Sequence, residues 1–299
     1  MQSPLDPEQL EASGTLVDAE IAPATSVGAV HLSVADLDRS TDYYTRSIGL
    51  QLLDRGDDRA IFGAADTPLV VLSEQPAGRG VGRHTGLYHF ALLLPERTDL
   101  ARWLAHAARD RVPLVGLSDH FVSEALYLSD PDGHGIEIYW DRPRAGWEGQ
   151  VARMTTLPLD VDGLLGELED PRSEPFDRMP DRTRMGHIHL KVSEIDRTIA
   201  FYRDLLGFAL MAQLGAQAAF LSAGGYHHHI GSNTWESAGA SPAPPGTAGL
   251  LHATIVVPDA AEQDRVLGRV DDTGQTPLQT IDGPMIEDPS GNRLVIAHA

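Results

Sequence analysis

The sequence contains no cysteine, which excludes disulfide bonds, thiolate metal sites and cysteine nucleophiles. Any metal must therefore be held by histidine and carboxylate side chains. Apolar runs of the ~20 residues needed to span a bilayer are also lacking. The first 25 residues carry acids but no lysine or arginine, so they lack the basic start of a secretory signal. We expect a cytoplasmic protein with no membrane partner, in which residues 1–25 form a flexible acidic arm.

Positive charge is also scarce. The 23 basic residues are outnumbered by 43 acidic ones, and the formal net charge is −20. Because such a surface repels phosphate backbones, nucleic acid is not an expected partner. Apolar residues make up 42% of the 299-residue chain, which is enough for about two domains with cores of their own.

The chain contains an internal repeat. The segment GAVHLSVADLDRSTDYYTRSIGL begins at Gly28, and GHIHLKVSEIDRTIAFYRDLLGF begins 158 residues later, at Gly186. DPDGHGIEI from Asp130 and DPSGNRLVI from Asp288 keep the same offset, and GLYHFALLLP pairs with GLLHATIVVP. The repeat predicts an N-terminal domain over 26–142 and a C-terminal domain over 185–299, joined by a linker over 143–184.

Each copy shows the same order of elements twice: a strand, a helix and three strands. Asp36 or Asp38 can cap the first helix, and Gly49 suits its C-terminal end. A second helix is expected from Thr98 to about Asp110, and DPDG and DPSG are turn sequences. The pattern predicts an α+β fold of two tandem domains. Each would consist of two βαβββ units that form a curled mixed sheet, or cup, with the helices outside.

Strand alternation places His31, His89 and Glu137 on the face opposite the residues that pack on the helices. If the sheet curls, that face lines a cup and the three side chains can converge. Two neutral imidazoles and a carboxylate form a facial triad that leaves three octahedral positions open, as non-haem Fe(II) requires. Mn(II), Zn(II), Co(II) and Ni(II) accept the same ligands. The alternative is that each histidine is only a hydrogen-bonded polar group under the sheet. The residues expected on the opposite, helix-packing face of the same strands are Val30, Leu32, Val34, Tyr88, Phe90, Leu92, Ile136 and Ile138.

The motifs VHLSVADLDRSTDYYTRSIGL, GLYHFALLLP and YLSDPDGHGIEIY resemble the vicinal-oxygen-chelate superfamily, which contains glyoxalases, bleomycin-resistance proteins and type I extradiol dioxygenases. GLYHFALLLPERTDLARWL and LSAGGYHHHIGSNTW are similar to its catechol-2,3-dioxygenase-like group. The resemblance covers nearly the whole chain beyond residue 26. It implies that the metal ligands come from the first strands of the two units and the last strand of the second unit, at His31, His89 and Glu137.

The resemblance also implies roles for two further residues. Tyr127 stands three residues before the DPDG aspartate, where the dioxygenases have a tyrosine that donates a hydrogen bond to a bound oxygen. His120 lies in the stretch that supplies a proton shuttle, two residues out of register. The second copy has Val295 in place of Glu137 and Met285 in place of Tyr127, so the metal is assigned to the first copy. The strand at Leu69–Leu72 lacks the acid–base histidine that extradiol enzymes often keep there.

The sequence YHHH, which spans Tyr226 to His229, has three interpretations. By strand alternation His227 and His229 share a face, and His228 points away. The cluster could form a hydrogen-bond network at an interface. It could hold a second metal with His189 and His252, or supply a cross-domain acid–base residue. The sequence favours the first, because a three-histidine site without a carboxylate would leave the full 2+ charge on the metal, and Lys191, on the same strand face as His189, would add another positive charge.

The resemblance implies that the chain is an Fe(II)-dependent, ring-cleaving dioxygenase whose partners are a small catechol-like aromatic and O₂. Mn(II), Zn(II) or Ni(II) are the alternative metals. One rival function is a non-oxidative metalloenzyme of the same fold, such as a glyoxalase-like isomerase or lyase. The other is a drug-binding resistance protein without a metal. The oligomeric state stays open, a homo-oligomer included.

Overall fold

The computed structural model describes residues 20–75 and 83–299. Most of the expected N-terminal arm, residues 1–19, lies outside this range. The last residues of that segment are packed: Ile21 is buried, and its amide nitrogen donates to the carbonyl of Gly207 at 2.8 Å. Across the described residues, no helix is both long and apolar enough to cross a membrane.

The first repeat contains two βαβββ units. The first unit comprises β1 (Ser26–Val34), α1 (Leu37–Asp42), which continues as a π-helical turn (Tyr43–Ile48), β2 (Gln51–Arg55), β3 (Arg59–Ala64) and β4 (Thr67–Glu74). The second comprises β5 (Gly86–Leu93), α2 (Arg97–Asp110), β6 (Gly116–Asp119), β7 (Ser123–Ser129) and β8 (Gly135–Asp141). The linker adds short helical turns (Arg144–Gly146 and Val151–Arg153), β9 (Leu157–Pro158) and α3 (Val161–Leu165).

The second repeat follows the same order. Its first unit comprises β10 (Arg184–Lys191), α4 (Ile195–Ile199) with a π-helical turn (Ala200–Leu205), β11 (Ala209–Leu214), β12 (Ala218–Ser222) and β13 (Ile230–Asn233). Its second comprises β14 (Leu250–Val257), α5 (Ala260–Asp271), β15 (Leu278–Thr280), β16 (Gly283–Glu287) and β17 (Arg293–His298). The predicted α+β class with two tandem repeats is confirmed.

Local sequence signals explain where these elements begin and end. The Asp36 side chain accepts from the Arg39 amide at 2.9 Å and so caps α1. Gly49 adopts φ +89°, the left-handed conformation that glycine tolerates at a helix end. In the DPDG turn, Asp130 Oδ1 accepts from the amides of Asp132 and His134, and Asp288 does the same in DPSG. These predicted caps and turns are confirmed.

The two sheets combine units from different repeats. One has eight strands in the order β15-β16-β17-β14-β1-β4-β3-β2, and the other has nine in the order β11-β12-β13-β10-β5-β8-β7-β6-β9. The first strands join antiparallel across repeats, β1 with β14 and β5 with β10. Each cup therefore contains one βαβββ unit from each half of the chain. Alternation could not foresee this, since the first strands of all four units carry similar patterns.

One apolar core runs through both repeats. It includes Leu32 and Phe90 from the first repeat and Ile188 and Ile255 from the second, all of which are fully buried. The helices pack on this side of the sheets. The opposite faces carry polar side chains together with smaller apolar clusters.

Candidate metal centre and cavity

The inner face of the nine-stranded sheet gathers histidines and a glutamate onto adjacent strands. On β5 and β10, His89 stands opposite His189, and Ala91 stands opposite His187. On the other side of β5, Ala91 lies beside Glu137 of β8, and Glu137 lies opposite Tyr127 of β7. Because paired residues share a face, all these side chains point into the same cup.

Three donor atoms of this face form a nearly equilateral triangle. Glu137 Oε2 lies 3.0 Å from His89 Nε2 and 3.1 Å from His187 Nε2, and the two nitrogens are 3.3 Å apart. All three side chains are buried. Adjacent ligands of an octahedral ion with bonds of about 2.1–2.3 Å are separated by roughly 3.0–3.3 Å, so the donor set fits such an ion.

The fit depends on a small residue beneath the triangle. Ala91 lies directly between Glu137 and His187 in the sheet, and it is fully buried. Its methyl group leaves room above the strand for the carboxylate and imidazole to meet. The triad thus requires a small side chain at this position as well as the three ligands.

The electrostatics favour an anionic Glu137 beside a neutral His187. Burial alone would raise the pKa of Glu137, but the charges and hydrogen bonds of His187 and His89 hold that pKa well below its ordinary range. Burial lowers the pKa of His187, an effect that Glu137 offsets only in part. A carboxylate with two neutral imidazoles is the protonation state that a divalent metal needs.

The structure corrects the predicted grouping of His31 with His89 and Glu137. His31 lies on β1 in the eight-stranded sheet, opposite His252, and forms a separate cluster with His252 and Asp282. The reason is the exchange of units, which puts β10 rather than β1 beside β5. His187 takes the place assigned to His31. The fitting donor set is therefore His89, Glu137 and His187.

A cavity of ≈ 460 Å³ opens in front of the triad. His120 and Tyr127 both line it, as do Lys191 and His189. Met154 and Thr155 of the linker close one side. The apolar part of the lining is formed by Leu87, Val115, Val122, Leu128, Ile136, Phe220 and Trp235.

His120 and Tyr127 form a hydrogen-bonded pair beside the triad. His120 Nε2 lies 2.7 Å from the Tyr127 hydroxyl, and His120 Nδ1 lies 2.9 Å from the Thr155 carbonyl oxygen. Since a carbonyl only accepts, Nδ1 carries a hydrogen, and the Nε2 of a neutral His120 accepts from Tyr127. The Tyr127 ring centre is 5.6 Å from that of His89.

A bulge turns a further aromatic residue into the cavity. Along the β5–β10 seam, His189 pairs with His89 but Leu190 pairs with Leu87, so the register shifts at Tyr88. Tyr88 was expected on the apolar face with Phe90. Instead it lines the cavity, with its ring centre 5.4 Å from Trp235. A single bulged residue reverses the facing that alternation predicts.

The YHHH cluster forms a buried network that reaches the cavity. His227 Nε2 lies 2.8 Å from Asp141 Oδ1, and His227 Nδ1 lies 2.8 Å from His228 Nδ1. Tyr226 donates to the other oxygen of Asp141 at 2.7 Å. His228 lines the cavity, and its ring centre is 4.1 Å from that of His187.

This network favours the hydrogen-bonding interpretation, since no metal-like cluster includes these histidines among the described residues. The suggested metal site with His189 and His252 is corrected, because those two histidines lie in different sheets.

Sequence reasoning missed His187 as a ligand and left the role of His228 open within the YHHH cluster, although a signal for each was present. His187 is the first histidine of GHIHL, two positions before His189 and so on the same face. Residues 227–230 lie 158 positions after 69–72, the strand where an acid–base histidine was sought and not found. The exchange of units brings this counterpart segment to the site, so the second repeat places His228 at the cavity where the first repeat has no histidine.

Comparison with known proteins agrees with this architecture. The family model of the glyoxalase/bleomycin resistance protein/dioxygenase superfamily matches residues 26–138 and 184–296. The catechol-2,3-dioxygenase of Bacillus subtilis (strain 168) is 42% identical over 273 residues, which cover 89% of this chain and 94% of that protein.

Among solved structures, a Bacillus subtilis protein superposes with a TM-score of 0.65 at 16% identity and covers 94% of this chain and 86% of its own. Glyoxalase I from Zea mays superposes with a TM-score of 0.53 at 17% identity and covers 92% of each chain. These two likenesses show the fold. The predicted family is confirmed: the chain belongs to the glyoxalase/bleomycin resistance protein/dioxygenase superfamily and is a homologue of catechol-2,3-dioxygenase.

Proposed function

We propose that this protein is an Fe(II)-dependent extradiol dioxygenase that cleaves a catechol-like aromatic with O₂. The observation that carries the proposal is the buried triangle of His89, Glu137 and His187 at the cavity wall. The likeness to a catechol-2,3-dioxygenase supports the substrate class. An iron(II) held by this triad would supply Lewis acidity toward the diol and the redox chemistry that O₂ requires.

The cavity supplies groups that can hold and orient such a substrate. Its volume of ≈ 460 Å³ accommodates a substituted single ring. Phe220 and Trp235 offer aromatic faces, and Met154 offers a polarisable one. Lys191, the only lysine of the chain, stands at the lining beside Glu236, so it can meet an anionic substituent.

His228 is placed to accept a proton from a substrate hydroxyl. With Asp141 ionised, His227 donates from Nε2, and its Nδ1 is then left to accept from the Nδ1–H of His228. His228 Nε2 keeps its lone pair. Burial holds the pKa of His228 well below its usual value, so the free imidazole is neutral. Its Nε2 lone pair is then the site where a proton from the substrate hydroxyl would be accepted.

His120 and Tyr127 can set the hydrogen bond that the substrate receives at the opposite side of the cavity. In the resting state Tyr127 donates to His120, so the phenol oxygen can accept but not donate toward the cavity. Protonation of His120 at Nε2 reverses this bond, and Tyr127 then donates to the substrate. The pair thus couples the charge of His120 to hydrogen bonding at the cavity.

The test is an anaerobic preparation loaded with Fe(II) and supplied with a panel of catechols under an oxygen electrode. Both atoms of O₂ enter an extradiol product, so uptake should equal catechol consumed. Zn(II)-loaded protein is the control and should take up none. If the Fe(II) form consumes no O₂ with any catechol, the proposal fails, and turnover by the Zn(II) or Ni(II) form without O₂ would favour an isomerase or lyase.

A further inference from the structure

The eight-stranded sheet contains a second group of donors, which the proposed reaction does not use. His31 on β1 stands opposite His252 on β14, and their rings stack with centres 3.9 Å apart. Asp282 lies in the turn between β15 and β16. Its Oδ2 is 3.8 Å from His31 Nδ1 and 3.7 Å from His252 Nε2.

This group is not a copy of the first centre. By the 158-residue offset, His187 corresponds to Ala29, and Glu137 corresponds to Val295, so two of three ligand positions are lost in this sheet. His31 lies two residues further along the strand, and Asp282 comes from a hairpin turn. The donors therefore form a different set, with a different geometry.

We propose that His31, His252 and Asp282 bind Zn(II) in a tetrahedral site that clips the two repeats together. Adjacent ligands of a tetrahedral Zn(II) with bonds of about 2.0–2.1 Å are roughly 3.3–3.4 Å apart. The two distances to Asp282 exceed this by only a few tenths of an ångström.

One of these ligand atoms, Nε2 of His252, is buried and has no hydrogen-bond partner among residues 20–75 and 83–299. Both histidine side chains are largely buried on this face of the sheet.

Arg59 is the nearest competitor for the carboxylate. Its Nη2 lies 3.7 Å from Asp282 Oδ1, whereas both imidazoles face Oδ2. The Oδ1 atom of Asp282 therefore faces Arg59, and its Oδ2 atom faces the two histidines. Asp282 can adjust its position, because it lies on a turn, beside the 95% exposed Ile281.

The site would join three segments from both halves of the chain: β1 of the first repeat, β14 of the second and the β15–β16 hairpin. Binding to the folded state alone stabilises a protein in proportion to the logarithm of metal concentration over Kd. Zn(II) should therefore raise the melting temperature without contributing to ring cleavage.

The experiment uses the full chain carrying Glu137→Gln, which disables the first centre, after removal of metals by chelation. Titration with Co(II), a probe for Zn(II) geometry, should give the intense visible absorption of a four-coordinate ion with one equivalent bound. Adding Asp282→Asn to this chain should abolish the absorption. Loss of a supporting hydrogen bond costs about 10–100-fold in metal affinity, so loss of a ligand should cost at least that for Zn(II).

Asp272→Asn is the matched control, since it removes an exposed carboxylate of the same repeat at the end of α5. It should leave the Co(II) spectrum and Zn(II) affinity unchanged. Asp282→Asn in the otherwise wild-type chain should keep O₂ uptake, which separates this site from the first. The proposal is overturned if the Glu137→Gln chain shows no four-coordinate Co(II), or if Asp282→Asn binds Zn(II) as tightly as its parent.

Discussion

Among single residues, His31 and His187 are where the predicted and the observed metal ligands differ. His187 Nε2 lies 3.1 Å from Glu137 Oε2, whereas His31 belongs to the other sheet. We expect His187→Gln to lose bound iron and O₂ uptake, because an amide oxygen is a poorer ligand than imidazole nitrogen. His31→Gln should retain both. Iron content by elemental analysis after desalting checks this, and the reverse pattern would restore the grouping predicted from the sequence.

Glu137 supplies the only negative charge among the three ligands. Glu137→Gln keeps the shape of the side chain but leaves the 2+ charge of a bound ion uncompensated in a buried site. We expect iron content to fall by at least about tenfold. Val295→Ala, at the corresponding position of the other sheet, is the control and should change neither iron content nor activity. Full iron occupancy in Glu137→Gln protein would show that the centre lies elsewhere.

His228 is expected to act on protons without holding metal. His228→Gln should lower kcat by about 10²–10⁴, the usual contribution of a general base, while iron content stays constant. His229→Gln is the control, because His229 accepts from the Ala223 amide and does not line the cavity. Stopped-flow measurement of catechol deprotonation should show the loss at that step. An unchanged kcat in His228→Gln would remove the residue from the mechanism.

Residue types and strand faces could be inferred from the sequence, but pairing between distant strands could not. Alternation placed His89 and Glu137 correctly on an inner face. It could not distinguish β1 from β10 as the neighbour of β5, since both begin a unit and both carry a histidine at the equivalent position. Which strand pairs with β5 depends on contacts between residues about 100 positions apart in the sequence, and no local sequence pattern contains that information.

At the scale of elements, the seam between β5 and β10 determines the geometry of the centre. Register shifts at Gly186 and Tyr88 reset which residues face the cup. At Gly186 a Cβ would clash with the Tyr139 hydroxyl, so the strand can lie against this side chain of β8 only because the residue is glycine. Bulges of this kind leave weak traces in sequence, and the facing of Tyr88 was mispredicted for this reason.

Ala91 offers a test of this seam. Ala91→Val adds two methyl groups between Glu137 and His187, so we expect the ligands to be pushed apart and iron affinity to fall by at least about tenfold. Ala253→Val is the matched control: it is also fully buried in a strand, but in the eight-stranded sheet. Both variants should lose roughly 1–3 kcal/mol from overpacking. Equal iron content in the two would show that space above Ala91 does not matter.

At the scale of the whole molecule, the exchange of units makes the two repeats mutually dependent. Each sheet takes one unit from each half, and a single apolar core includes residues of both. The family model therefore matches each repeat separately, whereas each sheet combines strands of both repeats. Neither repeat alone contains His89, Glu137 and His187 together.

This dependence predicts how the protein unfolds. If the repeats were independent, residues 26–142 and 185–299 would lose structure in separate transitions. Because β1 pairs with β14 and β5 pairs with β10, we expect one cooperative transition instead. Ile255→Ala, in the core of β14, should lower the free energy of unfolding by about 2–5 kcal/mol. The substitution should destabilise the strands of the first repeat as much as those of the second.

Hydrogen exchange measured by mass spectrometry across a denaturant series provides the readout. Peptides from β1 and β4, in the first repeat, should lose protection at the same denaturant concentration as peptides from β14 and β17. Ile255→Ala should shift all four together. Leu278→Ala, at a 61% exposed position on the edge strand β15, is the control and should shift none. Protection lost first throughout 185–299, with 26–142 still intact, would mean that each repeat carries its own stability and that the pairing across repeats contributes little.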